Sequence, residues 1–252
     1  YADDTTFYEP CSANSDPKSI SEAIENAIRW SNDNSMLLNS DKTVLMKSSL
    51  SYTNDFAEDI LVNDVMIPPS DQTKSLGVIV DSKLNFSSHI EYLVSKCNSR
   101  LFLMRQLKSF GLNSDGLKTF YISNIRSILL YGAPAWNSLL SLSSKEKLES
   151  IQRSATRIIT PDMCHKDRLD FLSIPLLNDF IFSSCAKHFE RISSNQLHPL
   201  FSRINFNNLK RSSRAKSVCS TYRPEISRTQ KRSKSFFQYY MRFFNNGNIY
   251  VE

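Results

Sequence analysis

From residue 18 onward, apolar positions recur at helical spacing. Ile20, Ala23, Ile24, Ala27 and Ile28 form one stripe, with Ser19 and Glu22 spaced as a capping box. The pattern predicts a helix ending near Asn32-Asp33-Asn34. Short β-rich runs follow: Thr43-Val44-Leu45-Met46, then Ile60-Leu61-Val62 with Val65-Met66-Ile67 across an Asn63-Asp64 turn, then Ser75-Leu76-Gly77-Val78-Ile79-Val80. At the front, Thr5 to Tyr8 alternates briefly, as the return strand of a hairpin turning at Ala2-Asp3-Asp4 would.

After Asp81 the period becomes helical. Ile90, Leu93, Val94, Cys97, Leu101, Met104 and Leu107 make a stripe that stops at Gly111, a C-terminal cap. A second helix is expected from about Ser114 through Leu117, Phe120, Tyr121, Ile125 and Ile128. A third carries Leu148, Ile151, Ala155 and Ile158, with Ser143 and Glu146 as its capping box. Pro175 opens a fourth, burying Leu177, Phe180, Ile181, Cys185, His188 and Phe189. From about residue 205, Ser, Arg and Lys dominate without a period, which reads as loop or disorder. The expected class is α+β: a mixed region over 1–84, a helical region over 85–200 and a basic extension over 201–252.

Composition changes this picture in three places. Only 5 glycines in 252 residues argue against glycine-rich phosphate loops, and no run of apolar residues reaches membrane-spanning length. The 5 cysteines are scattered and odd in number, as in a reducing compartment, with Cys97 and Cys185 on apolar faces. Cys164-His165 with Cys185 and His188 has the residue types of a zinc site, but adjacent Cys-His ligands are unusual geometry. The net charge of +6 is uneven: from Lys187 onward 13 basic residues face 3 acids, whereas the preceding 186 residues hold 18 basic and 22 acidic ones. An acidic front and a basic rear suit a chain that handles metal at one end and a polyanion at the other.

The chemistry concentrates in Tyr1-Ala2-Asp3-Asp4. Adjacent carboxylates suit hard divalent cations such as magnesium. In two-metal phosphoryl transfer, such groups clamp the ions that stabilise attacking and leaving oxygens. An exposed turn is the plainer reading of the same residues, since Asp bonds its own backbone there. The site would need another carboxylate from an upstream strand, so the chain is expected to be part of a longer protein with no secretory signal.

Further segments stand in a particular order. Leu38-Asn39 precedes Lys42-Thr43; Lys74-Ser75-Leu76-Gly77-Val78 precedes Asp81, Leu84, Phe86 and His89-Ile90. Beyond lie Leu107-Lys108, Gly111-Leu112, Tyr131-Gly132-Ala133-Pro134-Ala135-Trp136, Leu148-Glu149, Ile151-Gln152-Arg153 and Arg157-Ile158-Ile159. In this order the chain resembles the reverse transcriptase of non-LTR (LINE-type) retrotransposons, from the catalytic turn onward. Near the end, Arg228-Thr229 and Lys234-Ser235-Phe236 continue the likeness, whereas Phe243-Phe244-Asn245 departs from the family's Trp-Asn.

The resemblance implies a palm remnant with its primer grip over 1–84, a helical thumb over 85–200 and a basic extension over 201–252. It implies an RNA-directed DNA polymerase whose two magnesium ions are held by Asp3, Asp4 and a carboxylate outside this chain. The fingers also lie outside it, so this chain alone is expected to be inactive. Lys42 would neutralise the leaving pyrophosphate, or is a solvated loop lysine. Leu76, Gly77 and Val78 would meet the primer, with Gly77 either allowing close approach or marking a strand bulge. Trp136 and Tyr131 either pack or stack on bases. Lys210, Arg211, Arg214, Lys216, Arg228, Lys231, Arg232 and Lys234 would bind phosphates, or serve as a nuclear-localisation or solvated tail. RNA template, DNA primer and deoxynucleotides are the implied partners, without a membrane, in a nuclear or cytoplasmic ribonucleoprotein. A non-catalytic nucleic-acid-binding module and an inert retrotransposon remnant are the alternatives.

Overall fold

A computed structural model describes residues 5–8, 18–48, 60–204, 206, 222, 224 and 230–245, the side chains of Lys18, Ser19, Gln230 and Lys231 excepted. The chain divides into two compact units, Tyr1–Leu84 and Asn85–Glu252. Helices and antiparallel hairpins are both present, the mixed class expected of an α+β chain.

The first unit contains helix α1 (Lys18–Asp33), which ends where the Asn-Asp-Asn signal predicts. Ser19 lies inside its first turn, so it is not the cap that its spacing to Glu22 suggested. The stripe Ile20, Ala23, Ile24, Ala27 and Ile28 is only half-buried. Strands β1 (Ile60–Val62) and β2 (Val65–Ile67) pair as Ile60 with Ile67, Leu61 with Met66 and Val62 with Val65. Asn63 and Asp64 both take positive φ, at 50° and 63°, as a type I′ hairpin requires. Asn63 Nδ2 donates to Leu38 O at 2.8 Å, fastening the turn to the segment after α1.

Two expectations in this unit are corrected. The Thr43–Met46 stretch forms no strand: Leu45 makes one isolated parallel bridge to Pro69, with Ser70 N donating to Leu45 O at 2.7 Å. Proline has no N–H, so it cannot continue a ladder. The run from Ser75 to Val80 is not one strand either. It bends at Leu76-Gly77 into a hairpin of β3 (Gln72–Ser75) and β4 (Val78–Asp81). Leu76 sits at φ 45° and Gly77 at φ 85°; glycine takes that conformation freely, leucine only under strain.

The second unit is helical. Helix α2 (Ser87–Ser109) buries His89, Ile90, Leu93, Cys97, Leu101 and Met104. It stops at Gly111, φ 88°, where Leu112 N donates to Leu107 O and Gly111 N to Lys108 O, both at 3.0 Å. That pair of bonds is the Schellman closure a glycine permits. The second predicted helix is α3 (Ser114–Phe120) running through a π-helical stretch (Tyr121–Arg126) into α4 (Ser127–Leu130). Periodicity gave no warning of the π segment, whose shift of register buries Tyr121 and Ile125. Gly132, φ 64°, leads into α5 (Ala133–Trp136).

Helix α6 (Leu142–Ile159) is capped by Ser141, whose Oγ accepts from Ser144 N at 3.2 Å, so the cap lies two residues before the expected Ser143/Glu146 box. Helix α6 packs on α2 and is tied to it by Lys108 Nζ, which donates to Ile158 O. Helix α7 (His165–Leu172) escaped the sequence reading because two turns are too short to show a period. Helix α8 (Leu177–Ser194) begins just past Pro175 and buries Leu177, Ile181, Cys185 and Phe189 as expected.

The rear of the chain corrects the loop expectation in part. Short α9 (Gln230–Ser233) and α10 (Phe236–Asn245) are helical, and α10 packs on α8. Phe189 is surrounded by Tyr222, Phe236, Phe237, Tyr240 and Phe244 at ring separations of 5.4–6.4 Å. Asn245 and Tyr222 exchange two bonds, at 2.6 and 2.9 Å. Aromatic residues two to four apart made this helix, although the basic composition around them hid it. Among the described residues no single helix is long and apolar enough to cross a membrane; α7 with α8 passes that test only as a pair bent by 46°.

Candidate functional site

Asp3 and Asp4 lie outside the described residues, as do Lys210, Arg211, Arg214, Lys216 and Arg228. The other sequence-selected positions fall into separate places. Lys42 ends an exposed 3-10 turn (Ser40–Lys42), and its own backbone N–H donates to the capping Asn39 Oδ1 at 3.2 Å. Its ammonium makes no hydrogen bond or ion pair among the described residues. Leu76, Gly77 and Val78 are brought together at the tip of the β3–β4 hairpin, Leu76 being 56% exposed. The tip therefore presents an apolar side chain on a strained backbone, and strain of this kind collects at sites that meet a ligand. Gly77 is a turn residue, not a bulge.

In the helical unit, the Tyr131–Trp136 segment splits into two roles. Trp136 is fully buried, its Nε1 donating to Tyr131 O at 3.1 Å, and its ring meets His89 edge-on at 5.8 Å. Burial pushes His89 below the usual histidine pKa, because the charged ring would lose its hydration. Tyr131 remains 55% exposed.

Leu148-Glu149 and Ile151-Gln152 acquire a physical explanation. The N-terminus of α8 has no side-chain cap of its own, since Leu176 occupies the cap position. Glu149, buried on α6, supplies one from outside: Oε1 accepts from Leu177 N at 3.3 Å and Oε2 from Asn178 N at 3.2 Å. A carboxylate at a helix N-terminus also meets the positive end of the dipole. Gln152, one turn on, donates to Pro175 O at 2.9 Å and to Glu149 at 3.4 Å, and accepts from Tyr121 Oη at 2.5 Å. Tyr121 is held well above the ordinary phenol range by burial first, with Glu149 adding to it and Arg126 opposing. This chain of bonds joins the π segment, α6 and α8. Its sequence signal was two polar residues three apart among Leu148, Ile151 and Ala155 on one buried face.

Of the basic extension, Arg232 and Lys234 are exposed, and Lys231 is described only in its backbone. The Cys–His set does not assemble. Cys164 is exposed and caps α7, accepting from Asp167 N at 3.5 Å, whereas Cys185 is buried in α8. No group of three His, Cys, Asp or Glu able to hold a metal ion is present among the described residues. Burial pushes Cys97 up to about 12 and Cys185 up to about 11, so neither is a ready thiolate.

No protein-family model matches the chain, and no solved structure matches it. The chain is similar to the probable RNA-directed DNA polymerase from transposon BS of Drosophila melanogaster. The two are 23% identical over 163 residues, which cover 64% of this chain and 18% of that protein. The relationship is distant and partial, and the chain spans less than a fifth of that relative's length in the matched stretch.

Proposed function

We propose that this chain is a reverse-transcriptase-derived segment of a non-LTR retrotransposon, corresponding to the end of a palm, a thumb-like helical region and a basic extension. The similarity to a transposon RNA-directed DNA polymerase over 64% of the chain carries this reading. The ordered motifs from Tyr1-Ala2-Asp3-Asp4 to Arg157-Ile158-Ile159 support it independently. In the parent polymerase, Asp3 and Asp4 hold magnesium, Lys42 neutralises pyrophosphate, and the hairpin tip at Leu76-Gly77-Val78 meets the primer. The partners are an RNA template, a DNA primer and deoxynucleotides, within an intracellular ribonucleoprotein.

Two adjacent carboxylates have the right chemistry for magnesium. They lie outside the described residues, and no cation-holding group of three stands among the described ones. What its own residues do is bind: Lys42 offers an unengaged ammonium, and Arg232 and Lys234 offer exposed cations at the rear. Between Lys210 and Lys234 nine basic residues face one acid, Glu225. On this reading the chain is a nucleic-acid-binding segment, with primer extension assigned to the longer parent polymerase.

Primer extension on an RNA template with magnesium or manganese, together with binding across a salt series, tests both halves. Binding whose log affinity falls linearly with log salt, without incorporation, is the expected result. Incorporation abolished by Asp3→Ala would show that the chain polymerises by itself. Absence of binding at every salt concentration would leave an inert remnant.

A further inference from the structure

Where α6 meets the start of α7, three basic side chains keep buried nitrogens without partners. Arg168 is only 7% exposed, yet its guanidinium makes no hydrogen bond or ion pair among the described residues, and its Nε is sealed from solvent. One turn earlier on the same helix, both ring nitrogens of His165 are buried and unpaired. Arg153, from α6, acts on the same imidazole; its Nη2 pairs with Glu146, but its Nε is buried without a partner. Burial, then the charges of Arg153 and Arg168, hold His165 below the usual histidine pKa, with Glu149 and Glu146 pulling the other way. Both acids are committed elsewhere, Glu146 to Arg153 and Glu149 to the N-terminus of α8.

A buried guanidinium without an acceptor is costly, and truncated ion pairs show how strongly such a charge destabilises a fold. Water can satisfy single N–H groups, but it does not balance the charge of Arg168. An anion with several acceptor oxygens does both, and the planar fork of arginine matches a tetrahedral phosphate in two bonds at once. We propose that the corner between α6 and α7 is a binding site for one phosphate group, held by Arg153, His165 and Arg168. The group is either free phosphate or a phosphate of a polynucleotide backbone. The site goes beyond the polymerase relationship, because free phosphate alone serves as its probe.

The test follows the His165 ring by heteronuclear NMR in the 252-residue chain. Sodium phosphate is titrated at constant ionic strength in one arm, and a short oligonucleotide without terminal phosphate in the other. Phosphate should shift the ring signals and raise the His165 pKa, since bound anion favours imidazolium. Arg168→Lys keeps the charge and loses the fork, so affinity should fall about tenfold. His165→Gln, at a less buried position, provides a second variant if Arg168→Lys perturbs the helical circular dichroism; it should weaken phosphate binding measured by calorimetry. Response to phosphate alone supports the site with the free anion as its ligand, and response to both probes supports it with the backbone diester. An unmoved His165 with either probe, or an equal response to chloride, would overturn it. Oligonucleotide binding with His165 unmoved by both probes would remove this site while leaving the proposed function standing.

Discussion

The two units spend comparable apolar content very differently. In the first, Val62 and Ile67 are the buried apolar side chains among the described residues, while Trp30, Leu37 and Met66 stand 61%, 88% and 60% exposed. In the second, Trp136, Tyr121, Phe189, Ile90, Leu148 and Leu177 are all sealed from solvent. A helix carries its backbone bonds within itself, so its stripe needs only a neighbouring helix, and α2, α6 and α8 are such neighbours. A two-stranded hairpin leaves edges and a face uncovered, and hairpins of this size are marginal alone. Core formation in this chain thus depends less on how many apolar residues a region holds than on whether its neighbours in sequence can cover them.

The largest break in that contrast should come from the helical core. Trp136→Ala removes a fully buried ring and its bond to Tyr131 O, and should cost about 3–5 kcal/mol in urea unfolding. Hydrogen exchange should show the loss spreading through α2 and α5 with the β1–β2 amides unchanged. Equal loss of protection in the hairpin amides would show the two units unfolding as one.

Next in size is the shared cap. Glu149→Ala strips the acceptor from Leu177 N and Asn178 N and leaves Gln152 with one partner fewer. Unsatisfied buried donors of this kind should cost about 3 kcal/mol, and α8 should fray first in exchange experiments. A loss below about 0.5 kcal/mol would mean that water takes over the cap.

A third test uses alkali. The raised thiol pKa of Cys97 means that the folded state prefers the neutral form over the unfolded one. That contribution is complete below pH 9.0, the ordinary value, and is lost as pH rises toward about 12. Cys185 acts in the same direction up to about 11, against a bond from Tyr240. The urea midpoint of the helical unit should therefore fall above pH 9.0, whereas the hairpins over 60–81 contain no cysteine and lack this component.

The smallest effect belongs to the hairpin tip. Gly77→Ala places a Cβ at φ 85° and should weaken the β3–β4 pair by about 1–2 kcal/mol without touching the helices. Leu76→Asn, at φ 45°, should strengthen it slightly, because Asn tolerates that region. NMR chemical shifts of β3 and β4 report both.

Much of this architecture was legible residue by residue. The stripe from Ile90 to Leu107 predicts α2, and Gly111 marks its end, because a helix face and a left-handed cap are local properties of the chain. Asn63-Asp64 announces its hairpin for the same reason. Leu76-Gly77 did not, since β-rich residues on both sides mask a turn when only one glycine signals it. Of the sequence-selected site, the structure gathers the hairpin tip and exposes Lys42, while the carboxylate pair lies outside the described residues.

By itself the sequence determined where α1, α2, α6 and α8 run, where the Asn63-Asp64 turn falls and which ordered segments resemble a polymerase, all consequences of period and short-range chemistry. Tertiary structure alone decided what closes the start of α8 and which polar groups meet between α6, α7 and α8. Leu176 offers α8 no cap, so a carboxylate 28 residues before Leu177 had to be carried to it by the packing of α6. Arg153, His165 and Arg168 likewise became one cationic corner only when α7 folded back on α6. Such arrangements join residues far apart in the chain, so no local period or short-range signal announces them.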